Sequence, residues 1–247
     1  IDPASLRVSG GAIDIDAIKA IEQPLEQVHG AITELAEALD DVDSPWLVGP
    51  VRSELDDVDD EFVAQRPRLD NVVNAVRLLP ALLGDEATRT YLVLFTTPAE
   101  ARGLGGFAGS YTTVEIDEGV LDVREVGRIE DLNRETIGAD CSACSDELLA
   151  RYGRYGLTTG PNGGTGNATW SNLTMSAHFP DVADAADRLF PQATGVDIDG
   201  VIVMDPYVVE QFVRYGGPID VPAFGRVVQP DEVAEFIDRN AAGIPLD

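Results

Sequence analysis

The chain has 247 residues, 44% of them hydrophobic, with 44 acidic against 17 basic side chains and a net charge of −27. The apolar fraction is enough to bury a sizeable core, while the charge repels phosphate backbones and anionic lipid heads and argues against a nucleic-acid binder. No run of about 18 apolar residues occurs, so no helix within these residues is expected to cross a membrane.

The basic side is almost all arginine, and Lys19 is the one lysine. Two cysteines, Cys141 and Cys144, and two distant histidines, His29 and His178, argue against a Cys/His zinc site, which needs four neighbouring ligands. The chain starts at Ile1-Asp2-Pro3 with no signal peptide, as expected of a trimmed piece of a longer protein.

Residues 1–85 read as helical. Ile18, Ile21, Leu25, Val28, Ile32, Leu35 and Leu39 recur at steps of three and four. A second series runs from Val51 through Leu55, Val58, Phe62, Leu69, Val72, Val76 and Leu79 to Leu83, with Gln65 interrupting it. Asp43–Pro50 reads as the turn between them. The pattern predicts an antiparallel helical hairpin with arms about 40 Å long. Its stripes are expected to pack on each other; a spacer or an oligomer seam is the other reading of one arm. Pro24 and Pro67 are expected to kink or split the arms. His29 is expected to sit solvated on a polar flank.

Residues 86–247 read as an α/β domain. Tyr91–Phe95 is a short apolar run, suited to a buried strand. Phe107–Ile116 and Val120–Val126 form a hairpin through Asp117-Glu118-Gly119. Asp131 to Asn172 lacks periodicity, apart from a short helix at Asp146–Tyr152. Its glycine-rich stretch at 160–166 lacks the Gly-Lys-Ser/Thr ending of a nucleotide loop. A helix follows Phe179-Pro180-Asp181, then a strand at Val201–Met204. Asp205-Pro206 is a cap-and-first-turn pair for a helix at Tyr207–Tyr215, stopped by Gly216-Gly217. A strand at Ile219–Val221 and a helix at Asp231–Asn240 complete the chain. The order predicts an α/β (α+β) fold, a mixed β-sheet covered by helices and preceded by the long helical hairpin.

Three stretches carry a resemblance: Tyr91–Tyr111 (YLVLFTTPAEARGLGGFAGSY), Ala177–Phe190 (AHFPDVADAADRLF) and Asp199–Val221 (DGVIVMDPYVVEQFVRYGGPIDV). Together they resemble DUF4012, a bacterial family, common in actinobacteria, without an established function. The chain departs from it at Thr96-Thr97, where relatives commonly have Gln-Asn, and at Ala101–Leu104, where they often have Leu-Arg-Pro-Thr. The resemblance implies a transmembrane helix ahead of the helical region and a domain outside the membrane. A more distant likeness, in the strand–helix–Gly-Gly–strand order of Val201–Val221, is to the LytR-CpsA-Psr envelope phosphotransferases. That likeness implies arginines and Mg²⁺ holding a polyprenyl pyrophosphate.

Candidate residues follow from these readings. Glu100 and Arg102 sit where the first strand gives way to Gly105 and Gly106, at the strand end where open α/β sheets collect ligands. Arg suits bidentate contact with phosphate or carboxylate, and the glycine amides suit anions. A salt bridge that orders the loop explains the same residues. On the phosphotransferase likeness, Arg128 is a second phosphate ligand and Asp131 a Mg²⁺ ligand; surface charges on a hairpin are the other reading. Outside the cytoplasm, Cys141 and Cys144 are expected to form a local disulfide.

The expected protein is therefore an extracytoplasmic, membrane-anchored envelope domain of unknown activity that binds a ligand or an envelope-protein partner. The alternatives are a Mg²⁺-dependent transferase acting on polyprenyl-phosphate-linked glycans, and an assembly module built on the hairpin.

Overall fold

The fold is described from a computed structural model, over residues 12–42, 67–137, 139, 141–157 and 169–240. The chain divides into two compact units. One runs up to Arg89 and takes in Ile116–Leu121; the other holds Thr90–Glu115 and the chain from Asp122 onward.

In the first unit, α1 spans Ile15–Val42 and α2 spans 67–82. The 28 residues of α1 make a rod about 42 Å long. Asp14 starts it by accepting from the Ala17 N–H at 2.9 Å. The arms are antiparallel: Lys19 pairs with Asp85, Arg77 reaches back to Glu26 at 2.6 Å, and His29 Nε2 lies 2.6 Å from Asp70. His29 is thus a cross-arm partner, not a solvated flank residue. Pro24 lies within α1, and the helix is not split there. The lost hydrogen bond is flanked by the cross-arm pairs at Lys19 and Glu26. Apolar packing is concentrated toward the end where α1 begins and α2 finishes, where Ile15, Ile18, Val76 and Leu83 are buried, while Val28 and Leu35 are exposed. In α2, Val73 is buried in place of Val72, one position away from the expected stripe. The expected turn at 43–50, the series from Val51 to Phe62 and the Gln65 interruption lie outside the described residues.

Gly84 has φ +80°, and a Cβ there would lie 2.3 Å from the Ile116 carbonyl oxygen. That close approach lets the Glu118 and Gly119 amides donate to the Gly84 and Leu83 carbonyls. Ala12 bridges Val120 on the same tip.

The second unit is built on a mixed four-stranded sheet in the order β3-β2-β1-β4. Its strands are β1 Arg89–Thr97, β2 Phe107–Asp117, β3 Val120–Arg128 and β4 Gly200–Met204. β4 lies parallel to β1, with Tyr91 opposite Gly200 and Phe95 opposite Met204. β2 returns antiparallel: Gly106, just before it, meets the Thr97 carbonyl that closes β1. Glu118 and Gly119 both have positive φ, the conformation a two-residue hairpin turn requires.

One face of the sheet carries the main core. It is covered by α3 (Ile129–Glu135), α4 (Asp146–Tyr152), α5 (Thr169–Leu173) and α6 (Phe179–Thr194). Val182, Ala185, Ala186, Leu189 and Phe190 of α6 are fully buried. The Phe190 ring meets Tyr111 and Trp170 edge-on at 5.9 and 6.1 Å. Buried Asn133 ties α3 to α5 by accepting from the Trp170 N–H and donating to the Ser171 hydroxyl. The stretch expected to be irregular therefore contains α3 and α5. Helices of seven and five residues are too short to display a helical period. The glycine-rich loop at 160–166 lies outside the described residues.

The chain ends in a small layer of α7 (Pro206–Gly216), β5 (Ile219–Val221), β6 (Arg226–Val228) and α8 (Val233–Asn240). The Asp205 carboxylate caps α7 by accepting from the Val208 N–H at 2.8 Å, with Pro206 at the first position. β5 pairs antiparallel with β6, a strand the sequence pattern does not reveal. Val213, Val228 and Val233 form the core of this layer.

Candidate functional site

The carboxyl ends of β1, β3 and β4 lie along one edge of the sheet, with the start of β2 among them. The β1–β2 connection, residues 98–106, is fixed there by its backbone. Glu100 N–H donates to the Thr97 carbonyl, Phe107 N–H to the Glu100 carbonyl, and Leu104 N–H to the Thr174 carbonyl at 3.0 Å. A Cβ at Gly103 would lie 2.4 Å from the Met175 carbonyl oxygen, so glycine lets the loop rest on the 175–177 backbone. At Gly106, with φ +141°, a Cβ would lie 2.1 Å from the Thr97 oxygen. Gly105 has φ +74° and open space around it.

Arg102 is held over the Phe107 ring, 5.7 Å from its centroid. Its one carboxylate partner among the described residues is loose: Nη2 is 3.9 Å from Oε2 of Glu100, whose side chain is 62% exposed. The Arg102 side chain is 27% exposed, yet Nε is buried and has no hydrogen-bond acceptor. Glu100, Arg102, Gly105 and Gly106 thus form one ordered element, and the salt bridge in it is too long and exposed to be its main support.

Arg128 ends β3 on the same sheet edge and is exposed. Asp131 lies in the first turn of α3, where its carboxylate accepts from the Arg128 N–H at 3.3 Å and pairs with Arg134. That is the geometry of a helix-start carboxylate. No group of three or more His, Cys, Asp or Glu among the described residues is arranged to hold a metal ion.

Behind the loop, Ser176, Ala177, His178 and Asp181 line a cavity of about 150 Å³, facing Glu147, Leu148, Arg151 and Tyr152 of α4. His178 Nδ1 lies 3.1 Å from the Asp181 carboxylate, and the Ser176 hydroxyl accepts from the His178 N–H. In the sequence His178 is visible only as the residue before Phe179-Pro180, and its cavity is not. Only the folded chain brings α4 against this segment. Cys141 and Cys144 are joined in a disulfide with Cα atoms 5.2 Å apart. Both are buried, a setting for a crosslink and not for thiol exchange. The bridge leads into α4, whose first turn is capped by Ser145 accepting from the Leu148 N–H.

Compared with known proteins, residues 86–241, well over half of the chain, match the family model described as "Protein of unknown function (DUF4012)". No curated protein and no solved structure matches.

Proposed function

The chain belongs to the DUF4012 family, and we propose that it is an extracytoplasmic, membrane-tethered domain of the cell envelope that binds a ligand or partner through its Arg102–Gly106 loop. The observation that carries this reading is Arg102 itself. A guanidinium in a chain with 44 acidic residues is held on a backbone-anchored loop at the ligand-collecting edge of the sheet, with one distant carboxylate for company among the described residues. A binding site needs such a pre-positioned cation; a structural arginine is normally paired closely. No helix among the described residues is long and apolar enough to cross a membrane, so the tether in this reading is supplied by another segment.

The transferase alternative requires a free carboxylate for Mg²⁺ near Arg102 and Arg128. Asp131, its candidate, is already engaged by Arg128 N–H and Arg134. The test is binding of a polyprenyl pyrophosphate to the purified chain, with and without Mg²⁺, beside Arg102→Ala. Binding lost in the variant supports the loop as the site, and a Mg²⁺ requirement supports the transferase. If the lipid and extracted envelope proteins are held equally well by native chain and variant, the loop is not the site.

A further inference from the structure

We propose that the Arg102 loop takes an oxyanion, phosphate or carboxylate, directly on the guanidinium and without a bridging metal ion. This rests on the reading of that loop as the binding site and adds the chemical class of what it binds.

Several arginines elsewhere in this unit are held by carboxylates. Arg151, Arg188, Arg214 and Arg226 each hold one at 2.6–3.0 Å. Arg102 does not: Glu100 stands 3.9 Å away, and Nε is buried without an acceptor. A buried, unpaired guanidinium donor is costly, and the backbone anchors of the loop hold it in that state. Phe107 beneath it limits the side chain's freedom, so little ordering is left for a ligand to bring about. The partner a fixed guanidinium fits is a forked oxyanion.

Two carboxylates near this edge, Asp131 and Asp205, are already engaged. Asp131 is bound to the Arg128 N–H and Arg134, and Asp205 to the Val208 N–H. Mg²⁺ demands near-octahedral oxygen ligands, and these carboxylates face their own helices. The anion's charge is therefore met by arginine.

The experiment follows the Arg102 side-chain Nε–H resonance and calorimetry while the whole chain is titrated with inorganic pyrophosphate, inorganic phosphate or succinate, in EDTA and then in Mg²⁺. The expected result is saturable binding of at least one anion in EDTA, a moving Arg102 resonance, and affinity at least tenfold weaker in Arg102→Ala. Arg102→Lys should recover part of it, and Arg214→Ala should leave it unchanged. Pyrophosphate binding over succinate identifies a phosphate-bearing ligand, and the reverse order a carboxylate. Binding that appears only with Mg²⁺ overturns the metal-free contact. No saturable binding by a variant-matched, folded native chain overturns the oxyanion class. If Arg102-dependent capture of a lipid or protein persists in that case, the loop remains the site and only the ligand class falls.

Discussion

The Tyr111 hydroxyl donates to Glu125 across the β2–β3 hairpin at 2.8 Å, while its ring is buried against Phe190. Burial first, and then the hydrogen bond to Glu125, raises the phenol well above its ordinary value of 10. Above pH 10 the unfolded chain loses this proton and the native chain keeps it. The unfolded state then binds fewer protons, so stability falls as pH rises from 10 toward the native value. Thermal unfolding followed between pH 8 and about 11 should show a falling midpoint, and Tyr111→Phe should flatten part of that fall. At neutral pH the same variant should lose about 1 kcal/mol, the net worth of one hydrogen bond. Neither Tyr111's partner nor the openness of Arg102 is visible in the sequence. Both depend on the fold: the β2–β3 register places Glu125 within reach of Tyr111, and the carboxylate that Arg102 meets among the described residues is Glu100, 3.9 Å away.

At the scale of elements, the loop at 98–106 is held by two glycines that differ in kind. Gly106 combines φ +141° with a site a Cβ would fill, 2.1 Å from the Thr97 oxygen. Gly105 has positive φ alone, its nearest neighbour being the Thr96 hydroxyl at 4.0 Å. Gly106→Ala should therefore displace the loop, costing about 1–3 kcal/mol, and weaken whatever Arg102 binds. Gly105→Ala should cost about 1 kcal/mol from conformation alone. Denaturant unfolding separates the two, and equal losses would mean that the clash is relieved at no cost. The strands, α6 and α7 were legible because each carries a period, a cap or a glycine stop. The brief α3, α5 and β6 were not, since so few residues display no period and their form is imposed by the core they cover. In the helical hairpin the period announced helices but not which residues are inside: Val73, not Val72, is buried, and Val28 and Leu35 face solvent.

For the whole molecule, a net charge of −27 sets a self-repulsion that folding must overcome. Arginine pairs such as Arg188–Asp184 and Arg151–Glu147 are exposed and individually weak, so they do not offset it. Raising NaCl to about 1 M, where the screening length is about 3 Å, should raise the unfolding midpoint. Scanning calorimetry at several salt concentrations checks this, and a midpoint that falls would mean that local ion pairs outweigh the general repulsion.

The sequence by itself determined the acidic composition, the α/β (α+β) class with helices ahead of the sheet, the order of the principal strands and helices, and membership of the family. These are local properties, written in composition, period and turn chemistry. The tertiary structure alone decided that Asp131 serves a helix start, that His29 binds Asp70 across the arms, that His178 and Asp181 edge a cavity, and that Arg102 stands over Phe107 with a buried unpaired donor. Each of these is a pairing between elements, and a pairing exists only once the sheet order and the packing above it have fixed which side chains meet.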